Sequence, residues 1–193
     1  MSEKTEQKRQ LILDRALDVF SKKGYRLVSM KDIVEASEIS RGGLYLYFSS
    51  VEEIFEAVLE EYEKNNGDIS QEQLSNATNT EMLLFFLKSQ KIEILNKKNN
   101  LLTAKFEYEF ACRQAGKKSV LKKDMDAECV VLQKILERGN EKNEFNCYDP
   151  KKEALNIMLA IEGMKMLACT TGISEKKVDE EFLYLMQGFV VEE

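Results

Sequence analysis

Residues 29–48, SMKDIVEASEISRGGLYLYF, decide the fold of this chain. Ser29 and Ser40 each stand just before a short apolar helical pattern, where a serine hydroxyl caps the free N–H groups of a helix start. The spacing predicts two short helices, at 29–37 and 40–47, separated by about three residues. So short a connection is typical of a helix-turn-helix, in which the second helix enters the major groove of DNA.

The second of these helices carries groups suited to reading DNA. Arg41 lies in its first turn, where a side chain reaches a base edge, and arginine is the usual bidentate partner of guanine. Gly42 and Gly43 each disfavour a helix by about 1 kcal/mol. Their presence indicates that the backbone approaches something closely here. The hydroxyls suited to phosphate oxygens belong to Ser29, Ser40, Ser49, Ser50, Tyr45 and Tyr47.

Two of the candidate DNA contacts have an equally simple structural explanation. Lys31, one turn into the first helix, suits a base or phosphate contact and an ordinary surface lysine equally well. Tyr47 stands beside Phe48 and fits plain packing as well as a phosphate contact. The candidates taken together are Ser29, Lys31, Ser40, Arg41, Gly42, Gly43, Tyr45 and Tyr47.

Outward from this segment, apolar residues recur at helical spacing nearly throughout. The pattern predicts an all-α protein of about nine helices, with a three-helix DNA-binding domain at 1–50, a connecting helix at 51–65 and a larger helical domain at 66–193. The stretch 101–116 alternates as a strand would, but its flanking helix formers favour a helix. Residues 67–80 are predicted to be mostly loop. Predicted helix caps are Gly24, Ser29, Ser40, Ser50, Thr80, Asp149 and Ser174.

The last two predicted helices are apolar on every side. From 154 to 171 only Glu162 and Lys165 are charged. Such helices must be buried on two sides, so a second copy of the chain is expected to cover one of them. A central helix inside a monomer is the alternative. The predicted dimer contacts are Leu155, Met158, Phe182, Leu185, Met186 and Phe189.

Composition excludes several kinds of chemistry. The chain of 193 residues has no His, so a His-based metal site or catalytic triad is excluded. Its four Cys form no C-x-x-C pair, which favours buried thiols in a reducing cytoplasm over a zinc site. We therefore expect no metal, no cofactor and no enzyme activity. The longest uncharged runs are ten residues, against roughly 20 for a membrane span.

Charge is unevenly distributed along the chain. Residues 1–50 hold nine basic and seven acidic side chains, whereas the whole chain has a net charge of −6. A slightly basic head on an acidic body indicates that only the head meets a polyanion such as double-stranded DNA. No apolar segment follows the charged residues 1–10, so no signal peptide is predicted and a cytoplasmic protein is expected.

Specific motifs of the N-terminal quarter resemble the DNA-binding domain of the TetR family of bacterial transcriptional repressors. The resemblance rests on ALDVFSKKGY at 16–25, DIV at 32–34 and above all ISRGGLYLYF at 39–48. It implies a homodimer formed by the last two helices. It also implies a ligand pocket in the larger domain, which releases DNA when a small-molecule effector fills it. Three positions depart from the family pattern: Val28, Glu38 and Val51 stand where Thr, Gly and Lys are usual.

The implied pocket has candidate residues but no distinctive motif. Candidates are Phe85, Phe106, Tyr108, Phe110, Met158 and Met164, and for any single one of them an ordinary core position is the favoured interpretation. Glu107 and Glu109 lie among these aromatics and could pair with a cationic ligand, although a glutamate on an exposed face is the commoner case. The favoured function is a ligand-responsive repressor. The alternative is a helical small-molecule-binding or interaction protein without a role at DNA; no motif supports an enzyme.

Overall fold

We analysed a computed structural model of the chain, which describes residues 3–66, 77–96, 101–187 and 189. That part of the chain contains nine α-helices, as predicted, and no β-strand. Their bounds are α1 Glu3–Lys23, α2 Met30–Ser37, α3 Arg41–Tyr45, α4 Val51–Asn66, α5 Asn79–Leu95, α6 Leu102–Gln114, α7 Val120–Glu141, α8 Pro150–Cys169 and α9 Glu175–Gln187. None of the described helices is both long enough and apolar enough to cross a membrane.

The helices group into two compact units. The first contains residues 1–68 together with 98–118, and the second contains 69–97 together with 119–193. Helix α6 thus belongs to the unit of the N-terminal helices, although it lies far beyond residue 50 in the sequence. The functional division at residue 50 stays a prediction, since the two units describe packing alone.

The first unit is built around the apolar face of α1. Helices α2 and α4 both pack against α1, and α6 packs there as well. Phe20 of α1, Leu44 of α3 and Phe55 of α4 are completely or almost completely buried. Helix α1 ends at Gly24, whose φ of +75° is the left-handed conformation that glycine adopts without strain. This cap was predicted from the sequence and is confirmed.

Local capping chemistry explains most helix starts, with two corrections. The predicted caps Ser29, Ser40, Asp149 and Ser174 each accept a hydrogen bond from a backbone N–H three residues later. Ser50 does the same for Glu53, but the Glu53 carboxylate binds Ser49 instead of closing a capping box with Ser50. The fifth helix begins one residue after Thr78, so Thr80 as its cap is wrong.

The second unit packs around α7 and α8. Leu132 and Leu136 of α7 and Ile157 and Ile161 of α8 are completely or almost completely shielded from solvent. The sequence pattern also predicts that this helix ends at Gly139, which is wrong, because α7 continues to Glu141. Glycine is needed at position 139 for another reason, because a Cβ atom there would collide with the Phe145 ring. The predicted loop at 67–80 lies, up to residue 76, outside the residues that the structure describes.

Candidate nucleic-acid interface

The chain turns between α2 and α3 within three residues, at Glu38, Ile39 and Ser40. Glu38 adopts the left-handed conformation, with φ 55° and ψ 32°. It stands at the position where the family pattern usually has Gly. Ser40 then starts α3 by accepting a hydrogen bond from the Gly43 backbone N–H at 3.1 Å. The segment 29–48 therefore folds as the predicted helix-turn-helix.

Helix α3 has one buried and one exposed face. Leu44 is completely buried and holds α3 to the first unit. Arg41 and Gly42 are exposed, and Tyr45 is 44% exposed. The Arg41 guanidinium carbon lies 5.7 Å from the centre of the Tyr45 ring, which orients the cation beside the aromatic face. The exposed face thus presents the positive charge of Arg41, the phenol of Tyr45 and, at Gly42, backbone that no side chain covers.

The other predicted contacts differ in their availability. Lys31 points into solvent, with its side chain 82% exposed and 3.6 Å from Glu35. Such an exposed pair is weak and leaves the ammonium available. Tyr47 is partly buried. The Ser29 hydroxyl already donates to Asp32 at 2.6 Å, so this side chain serves the start of α2.

An ion pair fixes the start of α2 against the end of α1. Lys23 lies 2.5 Å from Asp32, and Ser29 donates both its hydroxyl and its backbone N–H to the same carboxylate. Lys23 first and Ser29 second hold the pKa of Asp32 well below its usual range. Asp32 is therefore ionised at neutral pH and completes the capping box that begins α2.

Helix α6 contributes two residues to the first unit that sequence reasoning did not place there. The Glu107 carboxylate accepts hydrogen bonds from the backbone N–H groups of Tyr25 and Arg26, at 2.7 and 2.9 Å. Tyr108 is 2% exposed and donates its hydroxyl to Glu56 of α4 at 2.6 Å. The sequence signalled only an aromatic run at 106–110; it contained no sign of which partners that run would meet.

An aromatic cluster accompanies these polar contacts. The rings of Tyr25, Phe55 and Tyr108 pack against one another, with centroid distances of 4.9 to 5.1 Å for the three pairs. Phe20 packs edge-on against Phe55 at 4.7 Å. Burial first, and the nearby Glu56 carboxylate second, raise the pKa of Tyr108. The Tyr108 hydroxyl therefore remains a donor at every physiological pH.

The six pocket candidates fall into the two units. Phe106, Tyr108 and Phe110 belong to the first unit, where Phe106 is buried and Phe110 is half-exposed. Phe85, Met158 and Met164 belong to the second, in which the two methionines are core residues. Tyr108 already contacts the Tyr25 ring, in the turn after α1, and Glu56 of α4. The assignment of these six residues to a ligand pocket stays a prediction.

The predicted dimer contacts also differ in exposure. Met158, Phe182 and Phe189 lie in the core of their own unit, so a single chain does not offer them to a partner. Leu155 is 43% exposed, and Leu185 and Met186 are partly buried. Helices α8 and α9 also expose apolar residues that were not singled out: Leu159, Leu167, Leu183 and Tyr184. An interface on these helices stays a prediction, with the exposed leucines and Tyr184 as its available contacts.

In the described part of the chain, no group of three or more His, Cys, Asp or Glu is arranged to hold a metal ion. All four cysteines are thiols outside any disulfide bond, and Cys112 and Cys147 are buried. Burial raises the pKa of Cys147, which keeps that thiol protonated.

The folded helix-turn-helix of the first unit defines a class of DNA-binding regulators, and comparison with known proteins places the chain within it. Residues 12–58 match the family described as bacterial regulatory proteins, tetR family. The chain is 32% identical over 144 residues to YfiR, an uncharacterized HTH-type transcriptional regulator of Bacillus subtilis (strain 168). That alignment covers 72% of this chain and 68% of YfiR. The chain belongs to the TetR family and is a transcriptional regulator.

One further relative and one solved structure extend the comparison. The HTH-type transcriptional repressor KstR of Mycolicibacterium smegmatis is 30% identical over 116 residues, which are 60% of this chain and 56% of KstR. A protein from Saccharomonospora viridis assigned as a transcriptional regulator, solved in complex with choline, has the same fold with a TM-score of 0.81. Its sequence is 16% identical, and the alignment covers 97% of this chain and all of that one.

Proposed function

We propose that this protein is a ligand-responsive repressor, which binds a near-palindromic operator as a homodimer and leaves it when a small molecule binds. The single observation that carries the proposal is the exposed face of α3. Arg41 is the only charged side chain of that helix and stands at its first residue, free of the core. The proposed DNA contacts are Ser29, Lys31, Ser40, Arg41, Gly42, Gly43, Tyr45 and Tyr47.

The roles of these contacts differ in kind. Arg41 is assigned to a base edge, because the first turn of a recognition helix reaches deepest into the major groove. The hydroxyls and Lys31 are assigned to phosphates, which position the helix without reading sequence. Ser29 and Ser40 hold the two helix starts, so their contribution is the geometry of the motif.

The exposed apolar side chains of α8 and α9 support a homodimer. Leu155, Leu159 and Leu167 of α8 and Leu183 and Tyr184 of α9 are each at least 43% exposed. A two-fold dimer presents the same recognition helix twice, so the operator should be a near-palindrome. Its half-sites should lie about 34–36 Å apart, one turn of the double helix.

Release by a small molecule is supported by the relatives. KstR is a transcriptional repressor, and the S. viridis protein holds choline in its solved structure. In a dimer, a shift of a few ångströms in the spacing of the two recognition helices disturbs both half-sites. Coupling of this kind is typically worth about 1–3 kcal/mol.

The test is a fluorescence-anisotropy titration of the full chain on a duplex selected from a randomised pool. Arg41→Ala should lose about 1–3 kcal/mol on the selected duplex and relax discrimination at one base pair per half-site. The matched control is Arg138→Ala, which removes an exposed positive charge from the second unit. If wild type selects no duplex at low salt, the chain is instead a binding or interaction protein without a role at DNA.

A further inference from the structure

The interior of the second unit contains a cluster of charged and amide side chains that the proposed DNA contacts do not use. Lys165 of α8 lies 3.0 Å from the Glu93 carboxylate of α5 and 3.1 Å from that of Glu162. Gln90 of α5 directs its Nε2 toward Glu128 of α7, at 3.4 Å. Three helices thus converge on one polar cluster.

Three members of this cluster are largely buried. The Lys165 side chain is 7% exposed and that of Glu162 15%, and Gln90 as a whole is 5% exposed. Burial alone lowers the pKa of Lys165, but the carboxylates of Glu93, Glu162 and Glu128 outweigh it and raise that pKa. Lys165 is therefore a permanent cation, facing three carboxyl groups.

The cluster retains acceptors that the protein does not satisfy. Gln90 Oε1 and Glu162 Oε2 are both buried, and neither has a hydrogen-bond partner among the residues that the structure describes. A buried acceptor without a partner destabilises the fold, and more so when it is charged. Both atoms are hydrogen-bond acceptors, so a partner must donate N–H or O–H groups to them.

Charge indicates which donor suits them. One ammonium faces three carboxyl groups, and the pKa of Glu128 is raised, first by burial and then also by the negative charges of Glu93 and Glu162. A cation with N–H groups, placed in the cluster, would neutralise the excess negative charge and donate hydrogen bonds to the two unpaired acceptors. The described residues include no metal-binding arrangement of carboxylates, so an organic cation is favoured over an ion such as Mg²⁺.

The surroundings of the cluster are apolar. Leu87 and Ile94 flank Gln90 on the buried face of α5, and Ile161 and Met164 flank Glu162 on α8. All four are core residues. A molecule that reached the acceptors would therefore place its charge on the cluster and its remainder against hydrocarbon.

We propose that Gln90, Glu128 and Glu162 bind the protonated amine or amidine of a small molecule with an apolar body. Gln90 Oε1 and Glu162 Oε2 accept its N–H groups, while Lys165 holds Glu93 and the second oxygen of Glu162 in place. The inference rests on the proposed function, because it names the chemical class of the effector that the regulator would sense.

Matched probes test the class of ligand by isothermal titration of the full-length protein without DNA. Phenethylamine, phenethyltrimethylammonium, phenethyl alcohol and hydrocinnamate share one apolar body and differ in charge and donors. Hexylamine and benzamidine vary the body and the cation. We expect the N–H cations to bind about tenfold or more tighter than the alcohol and the quaternary ammonium, since the latter has no donor. Amines that bind no better than the alcohol overturn the proposal.

Isosteric variants locate the site. Glu162→Gln and Glu128→Gln should each weaken amine binding about tenfold while leaving alcohol binding unchanged. Glu141→Gln, an exposed residue of α7, is the matched control and should bind as wild type does. Circular dichroism establishes that each variant is folded, and two variants are used so that one misfolded protein does not decide the test. Equal amine affinity in all three variants would show a structural cluster solvated by water.

Adding the best amine to the operator complex separates this inference from the proposed function. Amine binding that depends on Glu162 but leaves DNA bound supports the cation site and contradicts release. Operator binding together with no preference for amines supports the proposed function at DNA and contradicts the cation site.

Discussion

Glu107 and Tyr25 are 82 residues apart in sequence, yet the Glu107 carboxylate lies 2.7 Å from the Tyr25 backbone nitrogen and accepts its hydrogen bond. Arg26 donates to the same oxygen at 2.9 Å. This carboxylate therefore fixes the turn that leads from α1 into the helix-turn-helix. Gly24 makes room for it, because a Cβ there would lie 2.5 Å from the Glu107 oxygen.

Removing this carboxylate should loosen the turn. Glu107→Ala leaves two backbone donors without their charged acceptor, and we expect a loss of about 1–3 kcal/mol in the free energy of unfolding. Urea denaturation followed by circular dichroism measures it. Thr103→Ala, at an exposed position one turn earlier on α6, is the control and should not destabilise. Equal stability of Glu107→Ala and wild type would mean that the turn holds without α6.

Glu38 offers a substitution that should stabilise the protein. Its φ of 55° strains a residue with a side chain but not glycine. Glu38→Gly should raise the free energy of unfolding by about 0.5–1 kcal/mol, after allowing for the greater freedom of glycine in the unfolded chain. Glu35→Gly, three residues earlier within α2, should instead cost about 1 kcal/mol. Thermal unfolding of the pair distinguishes the two signs.

The sequence predicted those features of the fold that depend on neighbouring residues. Ser29 and Asp32, Ser40 and Gly43, and Asp149 all cap helices through contacts three residues away, so their chemistry is visible in a short stretch. The same local rules located the exposed Arg41. Each of these depends on helix geometry, which repeats the same contacts wherever the residue types recur.

Features that depend on distant residues were not predicted. The bond from Tyr25 to Glu107 is one case, and the cluster around Lys165 is another. Glu162 and Lys165 were noticed as the only charged residues between 154 and 171, but the partner of Lys165, Glu93, comes from α5. Met158 and Phe182 were assigned to a dimer surface because periodicity marks an apolar face without saying which element covers it.

The pH dependence of stability should reveal the partly buried carboxyl of Glu128. Burial raises its pKa, so the folded state binds a proton more readily than the unfolded chain does. The contribution of Glu128 is therefore fully present below the unfolded pKa and is lost as pH rises through the folded one. Glu128→Gln cannot ionise, so its stability relative to wild type should increase with pH across this interval.

Urea denaturation of both proteins at a series of pH values measures that difference. Lys165, Glu93, Glu162 and Gln90 face the same group, and because both proteins share them, the comparison isolates Glu128. Glu141→Gln should show a constant difference from wild type. A constant difference for Glu128→Gln as well would indicate that Glu128 is solvated in the folded state.

The proposed dimer can be tested at residues that the chain itself leaves exposed. Leu159→Glu and Leu183→Glu each place a charge on an apolar position that is 55% or 59% exposed in the single chain. Neither should affect folding of the subunit, but each should convert a dimer into a monomer, because a charge without a partner in an apolar interface is strongly disfavoured. Light scattering after size exclusion at tens of micromolar measures the mass. Leu27→Glu, at a 76% exposed position in the first unit, should remain dimeric.

Salt dependence should show how Lys31 contributes to DNA binding. Its side chain is 82% exposed and only weakly paired with Glu35, so it is available to a phosphate. A phosphate contact releases counterions, and Lys31→Ala should therefore reduce the slope of log affinity against log salt concentration by about 0.9. Because phosphates carry no sequence information, the loss of affinity should be similar on selected and scrambled duplexes.

Lys151→Ala, which removes an exposed charge from α8, provides the comparison for this measurement and should leave the slope unchanged. Anisotropy titrations at four or more salt concentrations give the slopes. A loss confined to the selected duplex would assign Lys31 to a base instead of a phosphate. An unchanged slope with unchanged affinity would make Lys31 an ordinary surface lysine, and Arg41 would then supply the only positive charge among the proposed contacts.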